Sequence, residues 1–377
     1  MSYFTIKTDV FQTLVNKAIK GASNNKFSPL TSLMDVNVEN NKIKVTTTDT
    51  NNYLTIMGDT ITSEPCRFTV NVDTFSKLVS KTSVDTIKVT VTDDTITFTG
   101  NGTYKLPIQL DVDGSPIKYP EQVINSPTEQ GQIKTSVIKN IILHNKPSLA
   151  TTLEAPYLTG YLCDTDCVIS ADSFNICMNS VNTFKSRVLV SPIVFELLSM
   201  CSEENIDYKI AEDKVLFETP SLRLFATLMT GVEDYPVDTI RGFCDKGYVS
   251  DCVIPKTAFL NIVDRLSLFI KEDEPNGVYM TFTSNGLKVE SMSDNAIETV
   301  PYQGSNNFKD YSCAIGVDSI KRQFSARAGE SVKVFYNNSD NSSSTITIKD
   351  ESVIQVISLL DDPRVSGGSY EDEESPI

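Results

Sequence analysis

Few residues of this chain have the types or spacing that catalysis requires. Its 377 residues include a single histidine, His144, and no tryptophan. One histidine excludes a zinc site built from several histidines and leaves a Ser–His–Asp triad dependent on His144 alone. Lysines flank His144 in a helical pattern, so we interpret it as a surface histidine. No Gly-rich phosphate loop (GxxxxGK or GxGxxG) occurs, and the sequence gives no sign of an enzyme.

Eight cysteines are scattered along the chain without a recognisable framework. Cys163 and Cys167 lie four residues apart, with only Asp164 and Asp166 as further ligands nearby. This spacing favours a β-turn between two core cysteines over a metal site. We interpret the other cysteines as small buried hydrophobic residues in a reducing compartment, and we expect no metal and no cofactor.

Composition and charge restrict the class of protein further. Hydrophobic residues make up 40% of the chain, and 33 basic against 49 acidic residues give a net charge of −16. The chain has no apolar run long enough to span a membrane and no basic-then-apolar leader, so we expect it in the cytoplasm. An acidic chain repels nucleic acid unless its charge is unevenly distributed.

The elements that position these residues recur three times along the chain. An alternating strand followed by a helix start and a helix occurs at 68–81, 187–200 and 313–326. The predicted helix starts are Asp73, Ser191 with Pro192, and Asp318. A second helix is predicted at 8–20, 135–146 and 256–268. Strand pairs are predicted at 43–56, 168–178 and 287–300, and further hairpins at 87–108, 206–228 and 332–360.

These repeats predict an α+β fold of three similar domains, each with two helices packed on antiparallel sheets. The predicted domains are 1–130, 131–247 and 248–362, followed by an acidic disordered tail at 363–377. Exposed edge strands invite pairing with the next domain, so the sheets should continue from one domain to the next. Three domains in a curved row would form a half-ring, which a two-fold dimer would close.

Basic residues concentrate in the predicted helices, although lysines are common on any surface helix. A basic lining inside an acidic shell would contact DNA phosphates without reading bases. The helix predicted at 191–204 weakens this pattern because it carries acids and no basic residue. The candidate DNA-channel residues are Lys17, Lys20, Lys26, Lys77, Lys81, Lys139, Lys146, Arg265, Lys321 and Arg322.

Four short segments, in the right order on this threefold repeat, resemble one known family. They are PYLTG at 156–160, ADSFNIC at 171–177, GVEDYPV at 231–237 and IQVISLL at 354–360. Together they resemble the β sliding clamp of bacterial DNA polymerase III, in a divergent form of the kind that a phage encodes. The resemblance covers residues 1–362 and rests on order and pattern more than on identity.

The resemblance implies a DNA-clamp fold and a head-to-tail homodimeric ring around duplex DNA. It also implies a hydrophobic pocket between the second and third domains, where short peptide motifs of the replicative polymerase and the clamp loader bind. The alternative is that the apolar members of this set are ordinary core residues. Carried over by position, the pocket residues are Tyr157, Leu158, Ser173, Phe174, Asn175, Ile176, Pro236, Ile240, Ser343, Thr345, Ile357, Ser358 and Leu359.

The chain departs from the family where a His-Arg pair is replaced by Phe174 and Asn175, so its partner motif should differ. The resemblance also implies a dimer contact between the strand 104–108 and the third domain of the other subunit. Pro107 lies in that strand and either turns its missing N–H away from the partner or marks a weakened interface. The candidate interface residues are Leu106, Ile108, Leu266, Leu268 and Phe269.

The function predicted from these features is a DNA sliding clamp, a processivity factor that tethers a polymerase and catalyses no reaction itself. Two alternatives from other classes remain open. A β-rich viral structural protein, of a capsid or a fibre, would need no basic helices. An acidic DNA mimic would align acids along its helices, whereas the helices here are the more basic parts.

Overall fold

A computed structural model describes residues 2–23, 28–272, 274–293, 295–304, 310–337 and 344–361. Lys26, Ser343 and the predicted tail at 363–377 lie outside these residues. Within them, no helix is long and apolar enough to cross a membrane. The seven α-helices of the described residues are α1 (Thr8–Ala18), α2 (Val72–Ser80), α3 (Thr135–Asn145), α4 (Pro192–Leu198), α5 (Val237–Cys244), α6 (Lys256–Leu266) and α7 (Val317–Ser325).

Antiparallel strands make up most of the remaining structure. They are β1 (Ser2–Lys7), β2 (Leu33–Glu39), β3 (Lys42–Thr48), β4 (Asn52–Asp59), β5 (Thr62–Ser63), β6 (Cys66–Asn71), β7 (Thr86–Val91), β8 (Thr95–Thr99), β9 (Thr103–Pro107), β10 (Glu129–Lys134), β11 (Tyr161–Cys163), β12 (Val168–Ala171), β13 (Asn175–Asn179), β14 (Val188–Val190), β15 (Asn205–Ala211), β16 (Lys214–Glu218), β17 (Leu222–Thr227), β18 (Ser250–Pro255), β19 (Gly277–Thr283), β20 (Gly286–Ser291), β21 (Ile297–Val300), β22 (Gln303–Gly304), β23 (Tyr311–Gly316), β24 (Ser331–Tyr336), β25 (Thr345–Lys349) and β26 (Val353–Leu360).

The chain divides into two compact units, and both contain part of the predicted second domain. The first unit consists of Met1–Lys139 and Phe184–Thr230, and the second of Asn140–Thr183 and Gly231–Ile377. The predicted domain boundaries follow the sequence repeat and stay predictions. The division reflects two strand pairings, each of which joins one predicted domain to the next.

The first unit contains an eight-stranded sheet of order β10-β15-β16-β17-β4-β3-β2-β6. Its central pair joins β17 to β4, with Leu222 opposite Ile56 and Ala226 opposite Asn52. A separate five-stranded sheet has the order β5-β1-β7-β8-β9. The expectation that a sheet continues across adjacent predicted domains is therefore confirmed.

The second unit repeats this construction. β13, at the end of the β12–β13 hairpin, pairs antiparallel with β26, and Asn175 lies opposite Ile357. β26 also pairs with β23 and β25, which connects it to the β23-β19-β20-β21 sheet and to β24 and β18. The strand that ends the third predicted domain thus completes a sheet of the second.

The threefold repeat is confirmed in the helices. α1, α3 and α6 each contain 11 residues, and each continues into a 3-10 turn, where the sequence pattern predicts further helix. Two of the helix pairs are joined by aromatic contacts, Phe11 with Phe75 at 5.8 Å and Phe259 with Phe324 at 4.9 Å between ring centroids. Each fully buried phenylalanine stabilises its unit by about 1.5–3 kcal/mol relative to exposure.

The predicted helix starts are correct for α4 and wrong for α2 and α7. α4 begins with Ser191 as N-cap and Pro192 at its first position. α2 is instead capped by Asn71, whose side chain accepts a hydrogen bond from Thr74 N at 3.1 Å. Asp73 and Asp318 lie in the first turns, where a carboxylate interacts favourably with the helix dipole.

His144 is buried, with 6% exposure, so its interpretation as a surface histidine is wrong. Gln355 Nε2 donates to the backbone oxygen of His144 at 3.3 Å. Burial, and then the positive charge of Arg327, lowers the pKa of His144. Arg327 is itself buried and donates to Asp350 Oδ2 at 2.6 Å. The sequence pattern showed which side of helix α3 carries His144, but it could not show that strand β26 covers that side.

Candidate functional site

A tight turn at 172–175 presents the most exposed aromatic ring of the candidate peptide pocket. Asp172 Oδ1 accepts hydrogen bonds from the backbone N–H groups of Phe174 at 2.8 Å and Asn175 at 2.7 Å. The Asn175 side chain donates back to the same carboxylate at 3.1 Å. This arrangement leaves the Phe174 ring 54% exposed at the end of the β12–β13 hairpin. Asn175 is buried, and its side chain stabilises the turn through this hydrogen bond.

The first unit contains the same turn at 49–52. Asp49 Oδ1 accepts from Asn51 N at 2.9 Å and Asn52 N at 2.7 Å, and Asn52 Nδ2 donates to Asp49 Oδ2 at 2.8 Å. In both units the following strand receives the last strand of the next predicted domain, β17 or β26. The loop carbonyl before that strand accepts equivalent bonds, from Thr227 N at 3.0 Å and from Ser358 N at 2.7 Å. The two junctions are therefore structural copies.

One wall of the candidate site comes from the 3-10 turn Pro156–Thr159. The Tyr157 ring packs edge-on against Tyr235, with 6.1 Å between ring centroids. Gly231 has a φ of +90°, and a Cβ there would lie 3.1 Å from Tyr157 Cβ. The glycine of the GVEDYPV segment thus permits this approach. Pro236 is exposed where α5 begins.

The predicted apolar residues separate into half-buried and fully buried sets. Leu158, Ile176 and Leu359 are half-buried and leave surface for a ligand. Ile240, at 3% exposure, and Ile357, at 0%, are core residues in this arrangement, as their alternative interpretation held. Thr345 is also buried, Ser173 is exposed, and Ser358 is half-buried. Ser343 lies outside the described residues.

Arg322 lies at this site rather than on an open helix surface. Its Nη2 is 3.2 Å from Asp172 Oδ2, and its side chain is 38% exposed. The guanidinium group therefore braces the turn that carries Phe174. The sequence assigned Arg322 to the DNA channel from its helix alone, and that assignment stays a prediction; the structure adds its carboxylate partner.

Sequence reasoning missed a second ion cluster in the same unit. Arg241 Nη2 lies 2.7 Å from Asp166 and 3.3 Å from Asp164. The hydrogen bond from Arg241 lowers the pKa of Asp166, although partial burial opposes this effect. The cluster fixes α5 against the 164–167 turn. α5 was not predicted, because it is short and follows a Tyr-Pro pair that indicated a linker.

The helix cations differ in how freely they present charge. Lys20, Lys81 and Lys139 are exposed and Lys17 is half-buried, and none of them makes an ion pair with the described residues. The other candidates include three that are paired on the surface, Lys77 with Asp73 at 2.7 Å, Lys321 with Asp264 at 2.7 Å and Arg265 with Glu298 at 2.6 Å. Surface pairs of this kind are weak, so a phosphate can compete for the cation.

Among the described residues, strand β9 pairs only with β8 and forms an edge of its sheet, and its register shows which way the nitrogen of Pro107 faces. Ile108 N donates to Asp94 O and Gly100 N to Gly102 O, both at 2.9 Å. Because antiparallel bonds alternate, even positions of β9 face β8 and odd positions face outward. Pro107 therefore lacks its N–H on the open side. An incoming strand finds outward donors only at Thr103 and Lys105.

The candidate interface residues are exposed to different degrees. Leu268 is 80% exposed and Phe269 is 49% exposed, and Leu106 is half-buried. Ile108 and Leu266 are buried within the chain itself, at 5% and 1%. β21 pairs with β20 on one side, and among the described residues no strand pairs with its other side.

The cysteines offer no reactive thiol. All eight are buried and free, as predicted. Burial raises the pKa of Cys163 and of Cys167 to about 12, so both are thiols at neutral pH. Asp164 N donates to Cys167 O at 2.8 Å, which confirms the predicted turn. Within the described part of the chain, no group of three His, Cys, Asp or Glu side chains is arranged to hold a metal ion.

Comparisons with known proteins agree on one family. The β sliding clamp of Staphylococcus aureus is 24% identical over 314 residues, which cover 78% of this chain and 81% of that protein. The sliding clamp of Bacillus subtilis matches the fold with a TM-score of 0.82 at 19% identity, over 96% of this chain and 99% of that one. A Pseudomonas aeruginosa sliding clamp bound to griselimycin gives a TM-score of 0.84 at 15% identity, over 96% and 100% of the two chains.

No family model matches the sequence, which agrees with its distance from these relatives. The sequence match nevertheless spans most of both chains, and the fold match spans nearly all of them. Three copies of the helix pair and two copies of the junction turn follow the same order. The chain is therefore similar to the β sliding clamps in fold over nearly its whole length, and distantly similar to them in sequence.

Proposed function

We propose that this chain is a DNA sliding clamp that closes as a head-to-tail homodimer around duplex DNA and tethers a replicative polymerase. One observation carries the proposal. β4 receives the last strand of the second predicted domain, and β13 receives the last strand of the third. By the same rule β21 should receive the last strand of a first domain, which is β9. Neither edge has a strand partner among the described residues, so a second copy would supply it.

The exposed helix lysines support a sequence-independent contact with DNA. Their contacts with phosphates are salt-sensitive and carry no base information. Topological closure then holds the ring on DNA, so tight binding is unnecessary. The tethered polymerase gains a high effective concentration at the primer end. No catalytic step is assigned to the chain, and its location in the cytoplasm remains a prediction.

The partner site we propose is the surface around Phe174, Tyr157, Ile176 and Leu359. It offers an exposed ring and half-buried aliphatic groups beside a fixed turn, which suits one or two apolar anchors of a short peptide. Arg322 and Asp172 lie at its edge and can orient polar groups of that peptide. The peptides of the polymerase and of the clamp loader would compete for this surface.

The alternative of a viral structural protein gains no support from the relatives, which are all sliding clamps. The acidic-mimic alternative requires acids aligned along the helices, whereas Lys139 is exposed on α3 and Lys20 and Lys81 are exposed just beyond the ends of α1 and α2. The relatives are bacterial, and a phage origin remains only a prediction.

The first experiment is light-scattering mass together with small-angle X-ray scattering of the purified chain. A particle of twice the 41.7 kDa chain mass with a hollow scattering profile would support the clamp. A large polydisperse assembly would instead favour the structural protein. A monomer at every concentration would contradict spontaneous ring closure.

A second experiment tests the peptide site with griselimycin, the ligand of the Pseudomonas aeruginosa clamp. Changing Ile176 and Leu359 to Asp places two charges on the proposed apolar surface, and griselimycin affinity should fall by more than about a hundredfold. Val249→Asp is the control, because Val249 is 45% exposed in the same unit and belongs to neither the proposed peptide site nor the proposed dimer edge. Equal loss in both variants would place the ligand elsewhere.

A further inference from the structure

We propose that a cavity on the eight-stranded sheet of the first unit binds an acidic, aromatic peptide segment of a partner protein. The cavity has a volume of about 230 Å³ and lies where the linker at 119–122 crosses the sheet. This inference does not depend on the proposed function, because the cavity lies wholly within the first unit. Its principal lining residues are Lys44, Tyr53, Arg67, Tyr119, Arg223 and Phe225.

The cavity occupies the copy of the junction that carries the candidate peptide site. Counting from the shared turn, Tyr53 corresponds to Ile176 and Phe225 to Val356. The Tyr-Pro pair that precedes each linker also recurs, with Tyr119 lining this cavity and Tyr235 packing against Tyr157 in the other unit. The same backbone frame thus carries two different sets of side chains.

Two arginines hold the linker and frame the cavity. Arg67 Nη2 donates to Tyr119 O at 2.9 Å, and its Nε and Nη2 bind the buried carboxylate of Asp35. Arg223 Nη2 donates to Gln122 O at 2.6 Å, while its Nε lies 3.3 Å from Glu218 Oε1. These contacts leave the Nη1 group of each arginine without a hydrogen-bond partner among the described residues.

Lys44 supplies a free cation beside the arginines. It is exposed on β3, and it makes no ion pair or hydrogen bond with the described residues. It lies opposite Asn37, which in turn lies opposite Arg67, so the two cations occupy one row across the sheet. Asp35 is paired with Arg67 and Glu218 with Arg223, and the exposed Glu121 is the other acid of the lining. The groups that this concave surface offers to an anionic side chain are therefore Lys44 and the Nη1 groups of the two arginines.

The aromatic lining favours a ligand that carries an aromatic or apolar group in addition to an anion. The buried Tyr119 packs edge to face on the half-buried Tyr53, with 6.2 Å between centroids, and Phe225 is half-buried beside Tyr53 on the neighbouring strand. Half-buried rings offer a surface for an aromatic or apolar side chain. The cavity is smaller than the roughly 300–1,000 Å³ typical of sites that enclose a whole small molecule. It suits one anchoring side chain of a peptide with a neighbouring carboxylate.

The test uses an acetylated, amidated pentapeptide of sequence Glu-Asp-Trp-Asp-Glu. The chain contains no tryptophan, so fluorescence from the probe reports its environment without background from the protein. Titration of the full chain should give saturable binding that weakens with added salt. Lys44→Glu should weaken it at least about fivefold, because the free cation becomes a repelling anion. Phe225→Ala should weaken it by a similar factor.

Lys42→Glu is the matched control. Lys42 lies on the same face of the same strand, two residues away, pairs with Asp59 and does not line the cavity. It should change the affinity by less than about twofold. Equal affinity for the wild type and Lys44→Glu would overturn the proposal, as would equal binding of a Gln-Asn-Trp-Asn-Gln peptide.

Two further outcomes separate this site from the others. Ile176→Asp, in the candidate site of the second unit, should bind the probe as the wild type does, and loss of binding there would refute the cavity. Displacement of the probe by a short duplex oligonucleotide would make the cavity part of a nucleic-acid surface and would also refute the proposal. If the chain binds the probe but does not bind griselimycin, the cavity proposal is supported and the proposed peptide site is not.

Discussion

Replacing Asp172 by alanine should loosen the turn of the candidate site by an amount that the structure predicts. The carboxylate accepts two backbone N–H bonds at 2.8 and 2.7 Å, and its side chain is 12% exposed. A hydrogen bond to a charged group contributes about 1.5–3 kcal/mol. The turn lies at the surface, where water replaces part of each bond, so we expect a loss of about 2 kcal/mol for the pair.

Hydrogen–deuterium exchange is the appropriate assay, because the effect is local. A loss of about 2 kcal/mol corresponds to roughly thirtyfold faster opening of the β12–β13 hairpin end. Asp49→Ala provides the matched control, since Asp49 makes the same bonds in the first unit. Each variant should accelerate exchange at its own turn and leave the other turn unchanged.

The two variants should differ in one respect. Asp172→Ala also removes the carboxylate that holds Arg322, whereas Asp49 has no such partner among the described residues. A half-exposed pair contributes about 0–1 kcal/mol, so the two exchange effects should agree within about that amount. Griselimycin affinity should fall for Asp172→Ala alone. Unchanged exchange at 172–175 in Asp172→Ala would refute the role assigned to this carboxylate.

Four further predictions concern charge, the open edge, pH and the tail. Changing Lys17 and Lys20 to Glu should weaken duplex binding at low salt and reduce the salt slope by about two, measured by fluorescence anisotropy. Pro107→Ala adds an outward N–H to β9 and should tighten dimerisation about fivefold in sedimentation. Because burial lowers the pKa of His144 below its usual value, protonation opposes folding, and stability should fall as the pH drops below about 6.5. Deleting 363–377 should leave the thermal midpoint nearly unchanged.

Control variants make these outcomes decisive. Lys349→Glu carries the same charge change to an exposed strand end and should leave duplex binding almost intact. Lys105→Pro removes an outward donor and should weaken the dimer, opposite in sign to Pro107→Ala. His144→Gln should flatten the stability profile between about pH 7 and pH 5, since the chain has no other histidine. An unchanged profile in this variant would contradict the role of His144.

Periodic sequence patterns predicted the repeated helices and strand pairs, because these depend on local spacing that a single segment contains. The first-turn acids Asp73 and Asp318 drew the predicted helix starts away from the true ones, Asn71 and Gly316. Helix α5 escaped prediction because Tyr-Pro indicates a chain break as readily as a helix start. The periodicity of a segment does not show which other strand or helix packs against it in the fold.

Tertiary partners account for the other differences. His144 is buried next to an arginine from the third predicted domain, and Arg322 binds a carboxylate 150 residues away. Among the predicted pocket residues, Ile357 belongs to the core while Leu359, two positions later, keeps accessible surface. Residues two positions apart lie on the same face of a strand, so alternation along β26 could not separate these two. The difference comes from the neighbouring strands β13, β23 and β25, which lie far away in sequence.

Among the described residues, which leave out position 294, the third hairpin shows no carboxylate turn of the kind that the two occupied junctions share. When the sequence of the third hairpin is aligned with the other two, Ser293 takes the position of Asp49 and Asp172. Ala296 takes the position of Asn52 and Asn175. Ala296 N donates instead to the hydroxyl of Ser291 at 3.1 Å, a neutral bond of about half the strength. A joint within one chain never needs to open, whereas a joint between two copies has to open for DNA to enter. Faster exchange at 291–296 than at 172–175 is therefore what the proposed ring requires, and equal exchange would contradict it.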